Sequence, residues 1–159
     1  MIRGIHHIAV NTPDLDRLVD FYVKAFGFEP LRPQVGPGWR DNALIDSIVG
    51  LRGSAARSQM LRAGTCYLEV FEYSAPAARE AGAAAPNDHA YTHFGVVVDD
   101  IDAECERLAA LGMRFTLERP AELGNLKAVY GYDPDGNIIE ILQPGPGHDF
   151  AMENLAGPR

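Results

Sequence analysis

Four side chains in this sequence have the types and spacing of a metal-centred site: His7, Glu69, His93 and Glu140. Each histidine stands in a short apolar run, Ile5-His6-His7-Ile8-Ala9-Val10 and Tyr91-Thr92-His93-Phe94-Gly95-Val96. Each glutamate lies inside another, Leu68-Glu69-Val70-Phe71 and Ile139-Glu140-Ile141-Leu142, with a polar residue three places on. A carboxylate enclosed by large apolar residues is costly unless it has a partner. A divalent cation is an efficient one, because two carboxylates balance its charge and two neutral imidazoles add ligand strength. Such a set suits Zn²⁺, Ni²⁺, Co²⁺, Mn²⁺ or Fe²⁺, and octahedral geometry leaves two positions for water or substrate oxygens.

The four residues belong to a repeat. His7 and His93 are 86 positions apart, and the same offset lays Asp14-Leu15-Asp16 on Asp100-Ile101-Asp102. From histidine to glutamate the distance is 62 in the first half and 47 in the second. The stretch between residues 30 and 55 absorbs the difference.

Both halves read as βαβββ. Residues 2–10 favour a strand whose period of two sends His6 and His7 to opposite faces, leaving His7 as the ligand candidate and His6 as a packed or surface residue. Thr12 then reads as an N-cap with Pro13 at the first helical position. Leu15, Leu18, Val19, Tyr22 and Phe26 form one apolar helix face, and Gly27 stops it. Residues 30–41 read as a loop ending near Trp39, assigned to packing; residues 42–51 fit strand or helix. Strands follow at 56–62 and 65–73, the second placing Tyr67, Glu69, Phe71 and Tyr73 on one face.

In the second half a strand at 91–98 precedes a helix with Ile101, Cys105, Leu108 and Leu111 inward, ended by Gly112. Strands at 113–118 and 126–132 follow, then the turn Asp133-Pro134-Asp135-Gly136 and a last strand from Asn137 to Gln143. Lys127 and Tyr130 read as a solvated lysine and a core tyrosine, and His89 and His148 as exposed. The fold class is α+β: a first module at 1–74, an Ala/Pro/Gly-rich linker at 75–90, a second module at 91–144, and a tail at 145–159 that is loosely held or an arm on a partner.

At 159 residues the chain suffices for one domain or two small modules. A net charge of −8, from 14 basic and 22 acidic residues, argues against a nucleic-acid footprint. No apolar run reaches the length of a membrane span and no signal-peptide core precedes the first module, so the expected address is cytoplasmic. Cys66 and Cys105 read as small buried hydrophobes in a reduced compartment.

Taken together, His7-Ile-Ala-Val with Asp14-Leu-Asp, Tyr67-Leu-Glu69-Val, His93-Phe-Gly-Val with Asp99-Asp-Ile-Asp, and Asp133-Pro-Asp-Gly-Asn-Ile-Ile-Glu140 resemble the vicinal oxygen chelate superfamily over residues 2–144. Its members include glyoxalase I, methylmalonyl-CoA epimerase, extradiol dioxygenases, fosfomycin-resistance proteins and bleomycin-binding proteins. The resemblance implies two tandem βαβββ modules forming a cup-shaped sheet around a metal pocket. It also implies a homodimer and metal ligation by His7, Glu69, His93 and Glu140. It further implies a small-molecule substrate with adjacent oxygens, whose C–H beside a carbonyl loses its proton to Glu140 or Glu69. Isomerase, epimerase or lyase chemistry of the glyoxalase kind is the leading expectation. The alternatives are an Fe(II)-dependent extradiol-type dioxygenase and a metal-retaining resistance-type binding protein. The stretch between residues 30 and 55 departs from a minimal glyoxalase I and weighs against a glutathione hemithioacetal.

Overall fold

The structure, a computed structural model, describes residues 4–31, 38–79 and 84–155. Parts of the first strand, the 30–41 loop, the linker and the tail therefore lie outside the described residues. The contacts divide the chain into two compact units, Ile2–Glu80 and Ala81–Arg159.

The first unit runs β1 (His7–Asn11), α1 (Leu15–Phe26), β2 (Glu29–Pro30), β3 (Trp39–Arg40), α2 (Ala43–Val49), β4 (Ala55–Ala63) and β5 (Cys66–Ala75). Its sheet has the order β1-β5-β4-β2, with β3 also on β4. β1 and β5 are parallel, and β5 and β4 antiparallel. The second unit runs β6 (His93–Val97), α3 (Ile101–Ala110), β7 (Arg114–Phe115), β8 (Ala121–Glu122), β9 (Leu126–Tyr132) and β10 (Ile138–Pro144). Its order is β6-β10-β9-β7, with β8 on β9, and again the first and last strands are parallel. This is an α+β fold of two five-stranded mixed sheets, each built on βαβββ.

Each sheet has a helix face and an open face. Alternation along β5 buries Leu68 and Val70 against α1, whose Leu15, Leu18, Phe21, Tyr22 and Ala25 are buried in return. Along β10, Ile139 and Ile141 are buried with Ile101 and Leu108 of α3. Glu69 and Glu140 occupy the opposite parity, so the glutamates stand on the open faces.

The polar residues three places beyond these glutamates serve the helix faces. Glu72 accepts from the Leu15 amide at 2.7 Å, and Gln143 accepts from the Ile101 amide at 2.9 Å. These amides belong to the first helical residues, whose donors have no partner inside the helix. A basic residue across the sheet then grips the first-turn aspartate: Arg57 reaches Asp16 at 3.0 Å, and Lys127 reaches Asp102 at 2.7 Å. Arg57 also bonds Glu72 at 2.8 Å. Lys127 is therefore paired as well as solvent-accessible.

Helix α1 starts later than its sequence suggests. Asp14 is the N-cap, accepting from the Arg17 amide, while Thr12 bonds the Asp14 amide in a turn just before it. Pro13 thus precedes the helix. Gly27 closes α1 in the left-handed conformation at φ 64°, where a side chain would be strained. The ambiguous 42–51 stretch forms α2, which buries none of its residues. Polar hooks fix it instead: Asn42 caps its amides, and Asp46 accepts from the Gly53 and Ser54 amides.

In α3, Ile101 and Leu108 face inward but Leu111 is 41% exposed, because the helix ends at Ala110. The 113–118 strand shrinks to Arg114–Phe115, and β8 is an addition. The Asp133 turn forms as expected: the Gly136 amide bonds the Asp133 carbonyl, and the buried Asp133 carboxylate accepts from the Asp135 and Asn137 amides. The described part of the tail includes a 3₁₀ turn at Met152–Leu155, and ahead of it His148 is half-buried and accepts from the Phe150 amide.

Candidate metal centre

Each unit brings its own histidine to its own glutamate. In the first, the parallel register sets Ala9 of β1 beside Glu69 and His7 beside Tyr67. The His7 Nε2 then stands 3.7 Å from the Glu69 Oε2. In the second, Gly95 of β6 lies beside Glu140, and His93 Nε2 stands 3.5 Å from Glu140 Oε2. Both glutamates are three-quarters or more covered, at 19% and 25% side-chain exposure, while the imidazoles are more open at 43% and 30%.

These separations exceed a good hydrogen bond. Two ligand atoms on one cation, each roughly 2.1 Å from it, stand about 3 to 3.5 Å apart at octahedral or tetrahedral angles. Each His–Glu pair therefore fits two adjacent ligand positions after side-chain adjustments of a few tenths of an ångström. Among the described residues no group of three or more His, Cys, Asp or Glu side chains stands together in a metal-holding arrangement. Each unit alone thus presents two donors, fewer than the three or four protein ligands of a typical zinc site.

The remote ring nitrogen of each histidine has a neighbour. His7 Nδ1 lies 3.0 Å from His6 Nδ1, and His93 Nδ1 lies 2.9 Å from the Thr92 hydroxyl. His6 also packs on Tyr67 with ring centroids 5.0 Å apart.

The two pairs have different surroundings. The Ser58 hydroxyl donates to Glu69 Oε1 at 3.3 Å. In the second sheet Ala128 takes the corresponding place, so no hydroxyl reaches Glu140 from that position. Opposite Glu69 stands Met60, and opposite Glu140 stands Tyr130. Tyr130 is thus not a core residue: it is half-buried on the open face, with its hydroxyl 3.3 Å from His93 Nε2. Burial and the Glu140 charge push its phenol pKa up, which keeps the O–H a donor near neutral pH. Sequence alone gave Tyr130 no distinguishing signal beyond sharing a strand with Lys127.

Beside Glu69 the first open face carries an aromatic corner. Trp39 stands edge-on to Phe71 and Tyr73, with centroids 6.0 and 5.7 Å away, and its indole N–H donates to Ser54. Burial, aided by Glu69, also pushes the Tyr73 phenol up. The two cysteines are free and half-buried; burial first, then Asp102 and Glu104, push the Cys105 thiol to about 11. A cavity of ≈590 Å³ in the second unit, walled by Cys105, Phe115, Leu117 and Val129, touches neither His93 nor Glu140. Among the described residues no helix is long and apolar enough to cross a membrane.

Residues 4–141 match the sequence profile of the "Glyoxalase/Bleomycin resistance protein/Dioxygenase superfamily". A 2-epi-5-epi-valiolone epimerase from Actinomyces sp. is 34% identical, over 94% of this chain and 84% of its own. A probable lactoylglutathione lyase of Vibrio cholerae is 28% identical, over 91% and 93%. Among solved structures, a glyoxalase family protein from Bacillus cereus superposes with a TM-score of 0.73 at 16% identity, covering 91% of this chain and 95% of its own. The fosfomycin resistance protein FosX of Listeria monocytogenes gives 0.61 at 20% identity, over 93% and 98%.

Proposed function

Since the chain belongs to the glyoxalase/bleomycin resistance protein/dioxygenase superfamily, we propose that it is a divalent-metal-dependent enzyme that moves a proton on a carbon beside a carbonyl. The observation that carries this reading is the His–Glu pair repeated at the same place in both sheets. We assign His7, Glu69, His93 and Glu140 to one ligand set of two imidazoles and two carboxylates. Their chemistry fits Zn²⁺, Ni²⁺, Co²⁺, Mn²⁺ or Fe²⁺. A cation held there would supply the positive charge that lowers the pKa of a C–H next to a carbonyl.

Glu140 is the proposed base. Glu69 already accepts a hydrogen bond from the Ser58 hydroxyl, a fixed contact that suits a permanent ligand, whereas Glu140 has Tyr130 opposite it. Abstraction breaks the C–H bond, moves the proton to a Glu140 oxygen and leaves the electron pair on the substrate's carbonyl oxygen as an enolate. The protonated Tyr130 hydroxyl is available to donate to a developing oxyanion. Delivery of a proton to the opposite face of the same carbon, from a donor other than Glu140, is an epimerisation, with Glu140 then losing its proton to solvent. Return from Glu140 to the neighbouring carbon is an isomerisation. The relatives named as an epimerase and as lactoylglutathione lyases favour this class over oxygen chemistry. So does the carboxylate in both halves, where non-haem iron oxygenases rest on two histidines and one carboxylate.

The test is proton exchange. Protein loaded with Ni²⁺, Co²⁺ or Zn²⁺ is incubated with α-hydroxyketones in D₂O and followed by NMR. Deuterium at the carbon beside the carbonyl, lost in Glu140→Gln, is the expected result. Oxygen uptake with catechols by the iron-loaded protein, and no exchange, would contradict it.

A further inference from the structure

Each candidate ligand histidine is preceded by a residue whose side chain reaches its far ring nitrogen. We infer that His6 and Thr92 are positioning residues: they fix the tautomer and ring orientation of His7 and His93, so that each Nε2 lone pair is presented to the cation. The inference rests on the metal-dependent reading above.

The hydrogen-bond arithmetic of the second half gives the direction. His93 has two polar neighbours, Thr92 Oγ1 at 2.9 Å from Nδ1 and the Tyr130 hydroxyl at 3.3 Å from Nε2. A neutral imidazole has one N–H and one lone pair. With the Tyr130 hydroxyl donating, Nε2 is the acceptor, Nδ1 carries the proton, and the Nδ1–H donates to Thr92 Oγ1. The lone pair therefore lies on the nitrogen that faces Glu140.

In the first half His6 takes the place of Thr92. Two Nδ1 atoms 3.0 Å apart need one proton between them. If it sits on His7, the His7 Nε2 lone pair points toward Glu69, matching the second half. Metal-bound histidines commonly donate their other N–H to such a neighbour, and losing it costs about 10- to 100-fold in metal affinity. Strand alternation alone would send His6 to the other face from His7, yet at the strand's start, where the His6 carbonyl accepts from the Tyr67 amide, the two rings meet.

His6 has a second contact, its packing on Tyr67, and two substitutions separate the two roles. His6→Thr removes the ring but keeps a hydroxyl that can accept from His7, copying the second half. His6→Phe keeps an aromatic ring against Tyr67 but offers His7 no acceptor. Thr92→Val is the matching change in the second half. His6 is exposed, so neither substitution at that position opens the core.

Two readouts are taken: ¹⁵N NMR of the His7 imidazole in metal-free protein, assigned against His7→Gln, and Co²⁺ affinity from absorption titration. Wild type and His6→Thr should show a protonated Nδ1 and equal Co²⁺ affinity. His6→Phe and Thr92→Val should each lose affinity by about 10- to 100-fold, and His6→Phe should redistribute the His7 proton. A His6→Phe protein that keeps both tautomer and affinity, or a His6→Thr protein that falls as far as His6→Phe, overturns the inference. If wild type takes up no Co²⁺, the metal-dependent reading fails, and the tautomer measurement alone decides the role of His6.

Discussion

The first and second units answer the same structural problem with different residues, and the differences cluster around chemistry and packing in opposite ways. Both anchor a helix N-terminus with the residue three beyond a glutamate, and both clamp the first-turn aspartate from across the sheet. Both set a histidine 3.5 to 3.7 Å from a glutamate on the face away from the helix. The first unit, however, packs its helix with Phe21, Tyr22, Phe26 and Phe28 in mutual ring contact. The second packs Ile101 and Leu108 instead. On the open faces, the first unit surrounds its pair with Ser58, Met60 and an aromatic corner. The second surrounds its own with Ala128, Tyr130 and Gly95. The features common to both units are the skeleton and the proposed ligands; those that differ are a hydroxyl on the carboxylate in the first and a phenol beside it in the second.

The largest effect should come from exchanging the two glutamates' chemistry. Glu140→Gln should slow deuterium exchange into an α-hydroxyketone by about 10³-fold, and Glu69→Gln should cost less in rate but more in metal content. A Glu69→Gln protein with unchanged metal and turnover would show that Glu69 is neither ligand nor base. Next comes packing. Leu18→Ala and Ile139→Ala each empty a fully buried site, and chemical denaturation should register a loss of about 2–5 kcal/mol for each. Tyr130→Phe removes the hydroxyl and keeps the ring; a fall in kcat of about 10²-fold with little change in KM is expected if the phenol serves the transition state. Met60→Phe, its counterpart across the repeat, should leave kcat nearly intact.

The smallest effect is a pH dependence confined to one half. Arg57 first, then the Leu15 amide, hold the Glu72 carboxyl below its ordinary value of 4.5. A lowered folded pKa contributes stability that is present above that value and lost as pH falls from there through the folded pKa. Gln143 does not titrate. Hydrogen exchange at the Leu15 amide, corrected for its intrinsic pH dependence, should therefore speed up as pH falls below 4.5, while that at Ile101 holds. Equal loss at both amides would show that Glu72 does not anchor its helix as drawn.

Much of this was legible in the sequence because the repeat restricts it twice over. Period-two alternation put Glu69 and Glu140 opposite the buried Leu68, Val70, Ile139 and Ile141, and the common offset placed His7 and His93 at equivalent strand starts. What escaped are facts of register and reach. Thr12 lost the capping role to Asp14 because its hydroxyl is spent on the turn before the helix. Leu111 fits the helical period, but the chain leaves the helix first. Tyr130 meets His93 only through the pairing of β9 with β10 and β10 with β6, a distance of 37 residues along the chain. His6 is exposed, as expected of a surface residue, but it does not turn away from His7: its ring meets both His7 and Tyr67.

The central claim is that the two His–Glu pairs form one ligand set and not two separate weak sites. Native mass spectrometry of the Co²⁺-loaded protein counts cations per chain directly, for wild type, Glu69→Ala and Glu140→Ala. One cation per chain, lost in both variants, is the predicted result. Two cations per chain in wild type with one remaining in each variant, or a full complement retained by either variant, would contradict it.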